Sequence, residues 1–291
     1  MKLPRWVITA VFMTTAVLSC NAQIPSFSVT TEEVRIDALV TDKRKPVMGL
    51  QSADFEILDN GVKQKIEYVS FENTPISVTM VLDLSNSVTG DLLNNLKSAG
   101  DLLLKGLKRD ERAGLITFDH AVKLRSPLTS DIDRIREGLH GMRPLSFGET
   151  SLIDASYTAL ILAESKSERP LVVIFSDGLD TLSLLPANEV MESAKQTHAV
   201  VYAVSTGQLP VEFLRDLSRC TGGSLLKIEA SENLGGIFAR ILEEFRQRYL
   251  IWYIPHGVSS SGWHSVKVRV KQHNYTIMHR MGYMQKPDNA H

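Results

Sequence analysis

An alternation of apolar runs with amphipathic stretches, from about residue 76 to residue 248, constrains the fold of this chain most strongly. Residues 78–82 form a nearly continuous apolar run, which is typical of a strand covered on both faces in a parallel sheet. The leucines between positions 92 and 107 recur at spacings that place them on one side of a helix. Alternating strands and helices predict an α/β fold with a doubly wound, mostly parallel, Rossmann-like sheet.

The same pattern continues along the chain as far as residue 248. Further strands are predicted at residues 114–118, 171–175, 200–204 and 224–228. Further helices are predicted at residues 151–163, 188–196, 211–218 and 233–248. We therefore predict a single α/β domain over residues 75–248.

The segments on either side of this domain alternate with a period of two, as β-strands do. Residues 34–40 and 266–270 both alternate apolar with polar side chains. Asp59-Asn60-Gly61 separates two such runs and is a strong hairpin signal, because Asn and Gly tolerate positive φ. Since two or three strands alone would be marginally stable, we predict one small all-β sandwich formed by residues 23–74 and 249–285, with the α/β domain inserted between them.

The two ends of the chain are predicted to lie outside these domains. Lys2 and Arg5 precede an apolar run that is shorter than the ~20 residues needed to cross a bilayer, so residues 1–22 are predicted to be a signal peptide. Cleavage after Ala22 by an ordinary signal peptidase is preferred, and lipoprotein anchoring through Cys20 is the alternative. Both predict export to the periplasm, the cell surface or the medium. Residues 286–291 are a short tail.

Composition and missing motifs exclude several classes of function. Loss of Lys2 and Arg5 from the 32 basic residues leaves the mature chain acidic against its 33 Asp and Glu, so we expect no nucleic-acid partner. The sequence has no Gly-x-Gly-x-x-Gly, Gly-x-Ser-x-Gly or His-Glu-x-x-His pattern. We therefore predict neither an enzyme nor a small-molecule substrate. Only Cys220 would remain in the mature chain, and we expect it to be a buried apolar residue.

Polar residues gather where predicted strands end, which is where doubly wound sheets bind ligands. Residues 83–87 (Asp-Leu-Ser-Asn-Ser) close the first buried strand, residues 148–150 (Gly-Glu-Thr) precede a helix, and residues 176–178 (Ser-Asp-Gly) close a later strand. On an extended strand end, Asp83, Ser85 and Ser87 would face one side, with Asp83 open to solvent. Oxygen ligands of this kind suit hard divalent ions. Taken singly, each motif is also typical of a helix N-cap or a turn.

In this order, Asp83-x-Ser85-x-Ser87, Gly148-x-Thr150 and Ser176-Asp177-Gly178 resemble the metal-ion-dependent adhesion site (MIDAS) of von Willebrand factor type A (VWA) domains. Motifs in the flanking segments resemble a bacterial subfamily of secreted VWFA-related proteins: Val40-Thr41-Asp42, Gly49-Leu50, Asp54-Phe55, Asp59-Asn60-Gly61 and Met281-Gly282-Tyr283. The resemblance implies a divalent cation, with Mg²⁺ favoured and Mn²⁺ or Ca²⁺ as alternatives. The implied metal site consists of Asp83, Ser85, Ser87, Thr150 and Asp177. It also implies that the three hydroxyls touch the ion and that the two carboxylates act largely through water.

An ion with neutral hydroxyls around it would stay electrophilic enough to take one more anionic oxygen. We therefore predict an adhesion-type protein-binding module, in which the ion grips an Asp or Glu of a protein partner. One alternative is a structural subunit of a cell-envelope assembly, with the β-domain as its main contact. The other, a metal-dependent hydrolase, is disfavoured because Ser85 stands where a phosphatase has a second acid. Trp252, Tyr253 and Trp263 are predicted to fill the sandwich, or else to form an exposed aromatic patch.

Overall fold

The structure is a computed structural model that describes residues 33–71, 74–143, 148–163, 168–206, 211–229 and 233–285. All of these residues belong to one compact unit, Glu32–His291. The predicted signal peptide (1–22) and the predicted tail (286–291) lie outside the described residues. No helix in the described part of the chain is both long enough and apolar enough to span a membrane.

Strands and helices follow one another in three blocks: strands, then alternating strands and helices, then strands. The strands are β1 (Val34–Asp42), β2 (Lys45–Pro46), β3 (Phe55–Asp59), β4 (Val62–Gln64), β5 (Ile66–Ser70), β6 (Ile76–Asp83), β7 (Arg112–Phe118), β8 (Val122–Thr129), β9 (Arg169–Phe175), β10 (Val200–Ser205), β11 (Leu225–Lys227), β12 (Tyr249–Tyr253), β13 (Gly262–Val270), β14 (Thr276–Met278) and β15 (Gly282–Gln285). The helices are α1 (Gly90–Lys105), α2 (Ile132–His140), α3 (Leu152–Leu162), α4 (Ala187–Gln196), α5 (Glu212–Thr221) and α6 (Leu234–Arg246), with a 3-10 turn at Ser52–Asp54.

The middle block forms a six-stranded sheet in the order β11-β10-β9-β6-β7-β8. Its strands are parallel except for β8, which runs antiparallel to β7 at one edge. Helices cover both faces, and alternate residues of β6 point to opposite sides, with Met80 in the core beneath α1 and α6 and Val81 in the core beneath α3. Because both faces are covered, every residue of β6 is buried. The predicted doubly wound, mostly parallel sheet is confirmed.

The two outer blocks pair with each other in two antiparallel sheets. One sheet has the order β14-β1-β12-β5, with β2 beside β1, and the other has the order β15-β13-β3-β4. Ile36 from the first sheet and Ile57 and Val268 from the second belong to one buried core. The predicted sandwich, built from both ends of the chain around an inserted α/β domain, is confirmed. The exact residue limits of the three domains stay predictions.

A buried polar network links strands from the two outer blocks inside the sandwich. The carboxylate of Asp59, at the end of β3, accepts hydrogen bonds from the hydroxyls of Tyr253 (2.9 Å) and Tyr283 (2.7 Å). Nδ1 of the fully buried His264 lies 2.8 Å from the other carboxylate oxygen of Asp59. These residues come from β3, β12, β13 and β15, so the network joins segments that are distant in sequence.

A second buried network joins the sandwich to the amino end of the parallel sheet. The guanidinium of Arg169, the first residue of β9, donates from Nε (2.8 Å) and Nη2 (2.6 Å) to one carboxylate oxygen of Asp37 on β1. The fully buried Arg248, just after α6, donates to the hydroxyl of Tyr202 (2.7 Å). That hydroxyl in turn donates to the carboxylate of Glu244 (2.6 Å). Arginine side chains therefore make the buried polar contacts at the amino end of the sheet.

Within the α/β domain, two of the described elements have no counterpart among the predicted ones, namely β8 and α2. Strand β8 lies at the edge of the sheet and mixes exposed with buried positions. It also contains Pro127, which lacks the N–H needed to pair on a second side. Helix α2 is short and buries only Ile135 and Leu139. Neither segment therefore carries a long apolar or periodic pattern.

Candidate metal centre

The loop after β6 brings Asp83, Ser85 and Ser87 together. The Asp83 side chain has no solvent exposure, and its two oxygens accept hydrogen bonds from the Ser85 backbone N–H (2.8 Å) and the Ser176 hydroxyl (2.8 Å). The strand ends at Asp83, and the chain then turns, with the Val88 N–H donating to the Ser85 carbonyl (2.9 Å). This turn brings the Ser85 and Ser87 hydroxyls to 3.1 Å from each other.

Two expectations about this loop are therefore wrong, namely how the two serines come together and that Asp83 is open to solvent. The two serines meet across a turn and not through the period of an extended strand. Asp83 is buried, whereas a ligand open to solvent was expected. Of the three side chains, Ser87 is the exposed one. Truncation of Asp83 to alanine would leave the Ser85 N–H and the Ser176 hydroxyl without this acceptor, so Ser87 offers the cleaner test of ion binding.

The loop after β9 supplies the second carboxylate. Asp177 is half-buried, and its Oδ1 accepts the Leu179 N–H (2.9 Å). The preceding Ser176 is buried, and its hydroxyl both donates to Asp83 and accepts the Gly178 N–H (3.1 Å). Gly178 has a φ of 91°, and a Cβ there would collide with Val211. Glycine is therefore required at this position, and the loop is fixed beside Asp83.

Thr150 is buried and lies against the continuation of that second loop. Its N–H donates to the Thr181 hydroxyl (2.9 Å), and its carbonyl accepts the N–H groups of Thr181 (2.9 Å) and Leu182 (3.1 Å). The loop that contains Thr150 also approaches the first loop, because a Cβ on Gly148 would lie 3.7 Å from Asn86 Nδ2. The backbone around Thr150 thus connects with both of the other loops.

The end of β7 supports two of these loops at once. The Phe118 carbonyl accepts the Leu84 N–H (2.8 Å), and the Asp119 carbonyl accepts the Ser151 N–H (2.8 Å). Since Leu84 follows Asp83 and Ser151 follows Thr150, the strand end fixes the spacing between the first and second motifs. The structure therefore gathers all three motifs at the carboxyl edge of the parallel sheet.

The charges in this region are unbalanced. Burial raises the pKa of Asp83 to about 6; hydrogen bonds from Ser85 and Ser176 oppose this rise, and the negative charge of Asp177 adds to it. Among the described residues, no Lys, Arg or His forms an ion pair with Asp83 or Asp177, whereas nearby Asp119 has Lys123 at 3.0 Å. Two neighbouring carboxylates with hydroxyl groups beside them form an arrangement that a divalent cation would stabilise.

The donor chemistry also indicates the class of ion. Within the described ranges, no group of three or more His, Cys, Asp or Glu side chains is arranged to hold a metal. The donors that do converge are hydroxyl and carboxylate oxygens, which suit hard ions such as Mg²⁺ and Ca²⁺ better than soft ones. The residues present therefore fit the cation that the sequence motifs imply.

Two positioning residues near the site, Ser176 and Asp180, lie outside the predicted set of ion ligands. Ser176 holds the Asp83 carboxylate, and Asp180 accepts the Ile153 N–H (3.1 Å) and the Ser183 hydroxyl (2.6 Å) at the start of α3. A Ser or Asp just after a buried strand is typical of turns and caps, so the signal was present in the sequence. It does not reveal which distant group the side chain contacts.

Comparisons with known proteins agree with this fold. Residues 78–179 match the von Willebrand factor type A domain family. Human calcium-activated chloride channel regulator 1 is 32% identical over 155 residues, which make up 50% of this chain and 16% of that protein. Human regulator 4 is 27% identical over 154 residues, with the same two shares. The chain thus spans a small part of these relatives.

Solved structures share the fold at low sequence identity. An aerotolerance-related membrane protein from Bacteroides fragilis, solved with multiple mutations to serines, matches with a TM-score of 0.50 and 17% identity, over 59% of this chain and 99% of that one. Proximal thread matrix protein 1 of the mussel byssus, solved with zinc in its MIDAS motif, matches with a TM-score of 0.48 and 15% identity, over 60% and 48%. With the family match, the fold and the motif order, residues 78–179 belong to the VWA family, and the chain carries a VWA domain.

Proposed function

We propose that this chain is a protein-binding module whose affinity depends on a divalent cation, most simply Mg²⁺. The ion would be held by Asp83, Ser85, Ser87, Thr150 and Asp177. The observation that carries the proposal is the pair of carboxylates, Asp83 and Asp177, that has hydroxyl neighbours and no ion pair within the described residues. A divalent cation would supply the positive charge that this edge of the sheet lacks.

The proposed role of each residue follows from its contacts. The Asp83 carboxylate is fixed by the Ser85 N–H and the Ser176 hydroxyl, so it is already ordered for an ion. The Ser85 and Ser87 hydroxyls, 3.1 Å apart, would offer neutral oxygens to that ion. A bound Mg²⁺ supplies an electrophilic site for an anionic oxygen. A partner protein would contribute that oxygen from an Asp or Glu side chain, and no bond would be made or broken.

Calorimetric titration with Mg²⁺ and with Mn²⁺ tests the ion site directly. We expect saturable binding of one ion to the wild-type protein. Ser87→Ala should weaken that binding by about tenfold, because loss of one ligand contact is worth on the order of 1–2 kcal/mol. Ser87 is exposed, so this substitution leaves the buried contacts of Asp83 intact.

Ser98→Ala is the matched control for this titration. Ser98 is also an exposed serine, and its hydroxyl donates only to the Asn94 carbonyl within α1 (3.0 Å). The control should bind the ion as the wild type does. Equal affinities of all three proteins, or no binding by the wild type, would contradict the proposed site.

A structural role in an envelope assembly is the second candidate, and one observation favours it. Tyr253 is buried in the sandwich as expected, but Trp252 is only partly buried and Trp263 is 36% exposed. Trp252 packs against the ring of Tyr68, which is 58% exposed, with ring centroids 5.3 Å apart. An exposed aromatic pair of this kind would suit a protein contact on the sandwich.

Partner capture by two variants separates the candidates, using envelope proteins that bind the wild type as the common probe. Under the cation-dependent function, EDTA should abolish capture, Ser87→Ala should shift it to about tenfold higher Mg²⁺ concentration, and Tyr68→Ser should preserve it. The reverse pattern would favour the structural role.

We also propose export of the chain, and the intact mass of the mature protein distinguishes cleavage after Ala22 from lipidation at Cys20.

A further inference from the structure

The loop that leads from Asp177 to α4 exposes an unusual amount of apolar surface beside the candidate metal centre. Leu179 is 39% exposed, Leu182 is 40% exposed and Leu184 is 91% exposed. Single exposed leucines are common and need no explanation. Three within one short loop, next to a proposed binding site, form a patch that we call the leucine rim (Leu179, Leu182 and Leu184). Clustered apolar surface of this kind marks interaction sites.

Hydrogen bonds fix the backbone of the leucine rim to the candidate site. The Leu179 N–H donates to Oδ1 of Asp177 (2.9 Å), and the Leu182 N–H donates to the Thr150 carbonyl (3.1 Å). Asp177 and Thr150 are two of the proposed ion ligands. Two rim residues are thus hydrogen-bonded to proposed ligand residues, so the rim lies beside the proposed ion site.

The far end of the loop is fixed just as firmly by helix α3. The Asp154 carboxylate accepts the N–H groups of Leu184 (2.9 Å) and Leu185 (2.9 Å). Leu185 is half-buried and packs against the core beneath α3, while its neighbour Leu184 points away and is almost fully exposed. The exposure of Leu184 therefore belongs to an anchored loop, and little conformational entropy is left to lose when a partner covers it.

We propose that the partner segment carries an Asp or Glu for the ion and, beside it, apolar side chains that cover the leucine rim. The proposal rests on the proposed cation-dependent function and specifies its partner. The ion would bind the carboxylate, and the rim would favour apolar side chains on either side of it. A segment with polar flanks would leave the rim in water or would lose solvation of its own polar groups against it.

A display library of peptides with one fixed Asp and randomised flanking positions tests this preference. The full mature protein would be immobilised and the library selected in Mg²⁺ and, separately, in EDTA. We expect Mg²⁺-dependent enrichment of Leu, Ile, Phe and Met beside the fixed Asp. An enriched peptide should then bind Leu184→Ser about tenfold more weakly than wild type, since burial of one leucine side chain contributes about that factor.

Leu124→Ser is the matched control, because Leu124 is 49% exposed and lies on the edge strand β8. It should bind the enriched peptide as wild type does, and all three proteins should bind Mg²⁺ equally in calorimetry. Two results would contradict the role of the rim while leaving the proposed cation-dependent function standing. One is Mg²⁺-dependent capture of Asp peptides with polar flanks, and the other is equal peptide affinity of Leu184→Ser and wild type. Absence of any Mg²⁺-dependent capture of Asp peptides would overturn the proposed function as well.

Discussion

Two buried carboxylates near opposite ends of the parallel sheet have different hydrogen-bond partners. Asp37, 6% exposed, accepts two hydrogen bonds from Arg169 at the amino end of β9. Asp83, fully buried at the carboxyl end of β6, accepts from the Ser85 N–H and the Ser176 hydroxyl and has no ion pair among the described residues. At one end the cation is a side chain of the protein itself. At the other end, we propose, it comes from solution.

This difference separates a structural contact from a functional one. An arginine fixed by the sequence is always present, so the Asp37 pair can hold the sandwich against the α/β domain under all conditions. The proposed ion from solution would make the Asp83 end responsive to ion concentration and would leave room for a partner's oxygen. The contrast predicts that changes at the two ends affect different measurements.

Loss of the Arg169 guanidinium should have the largest effect on stability. Arg169→Met should lower the free energy of unfolding by about 3–5 kcal/mol, because it leaves Asp37 buried without its partner. Urea denaturation measures this change. Arg112→Met is the control: Arg112 also begins a strand, but its side chain is 38% exposed and its pair with Glu168 (2.7 Å) should contribute at most about 1 kcal/mol. Similar losses of stability in both variants would contradict the expectation that the buried Arg169–Asp37 pair contributes more than the exposed Arg112–Glu168 pair.

Addition of Mg²⁺ should have the next largest effect on stability. Mg²⁺ at about 100 times its dissociation constant should raise the free energy of unfolding by about 2.7 kcal/mol in the wild type. Asp83→Asn should lose this increment. In EDTA it should be as stable as wild type or more so, because burial disfavours the charge of Asp83, as its raised pKa indicates, and the amide oxygen still accepts a hydrogen bond. Urea denaturation with Mg²⁺ and with EDTA measures both quantities.

The two ends can also be tested for independence in that experiment. Arg169→Met should keep the full Mg²⁺ increment, since Arg169 lies at the other end of β9 from Asp177. Loss of the increment in Arg169→Met would show that the two ends are coupled, contrary to the comparison.

The smallest stability effect is expected at the second carboxylate of the candidate site. Asp177 is half-buried, so Asp177→Asn should change the free energy of unfolding by no more than about 0.5 kcal/mol. Its Mg²⁺ affinity should still fall by about tenfold, because one negative charge near the ion is lost. Asp216→Asn, at an exposed position on α5, should change neither quantity. A large loss of stability in Asp177→Asn would assign that carboxylate a structural role.

Periodicity explains how much of the fold could be predicted. The apolar run at residues 78–82 identified β6, because a strand covered on both faces needs apolar residues at successive positions. The edge strand β8 was missed, because exposure on one side removes that pattern. The Arg169–Asp37 pair joins residues 132 positions apart, and no local spacing announces such a contact.

The candidate site was predictable in its residues but not in its geometry. The order of the motifs identified Asp83, Ser85 and Ser87 because residue identity alone carries that pattern. It did not reveal that Asp83 is buried, since burial depends on Ser176 and on loops contributed by distant segments. The leucine rim was not identified either, because an isolated leucine in a loop has no distinguishing local pattern.

The network around Asp59 also governs the order in which the molecule can be assembled. Tyr283 reaches Asp59 across 224 positions of chain, so a ribosome completes the whole α/β domain before the last member of the network exists. Until then β1 and β3 lack their neighbours β12 and β13, and their edges and apolar faces stay open. Closure of the sandwich should thus be a late step of folding, because the strands that complete both of its sheets are the last to be made.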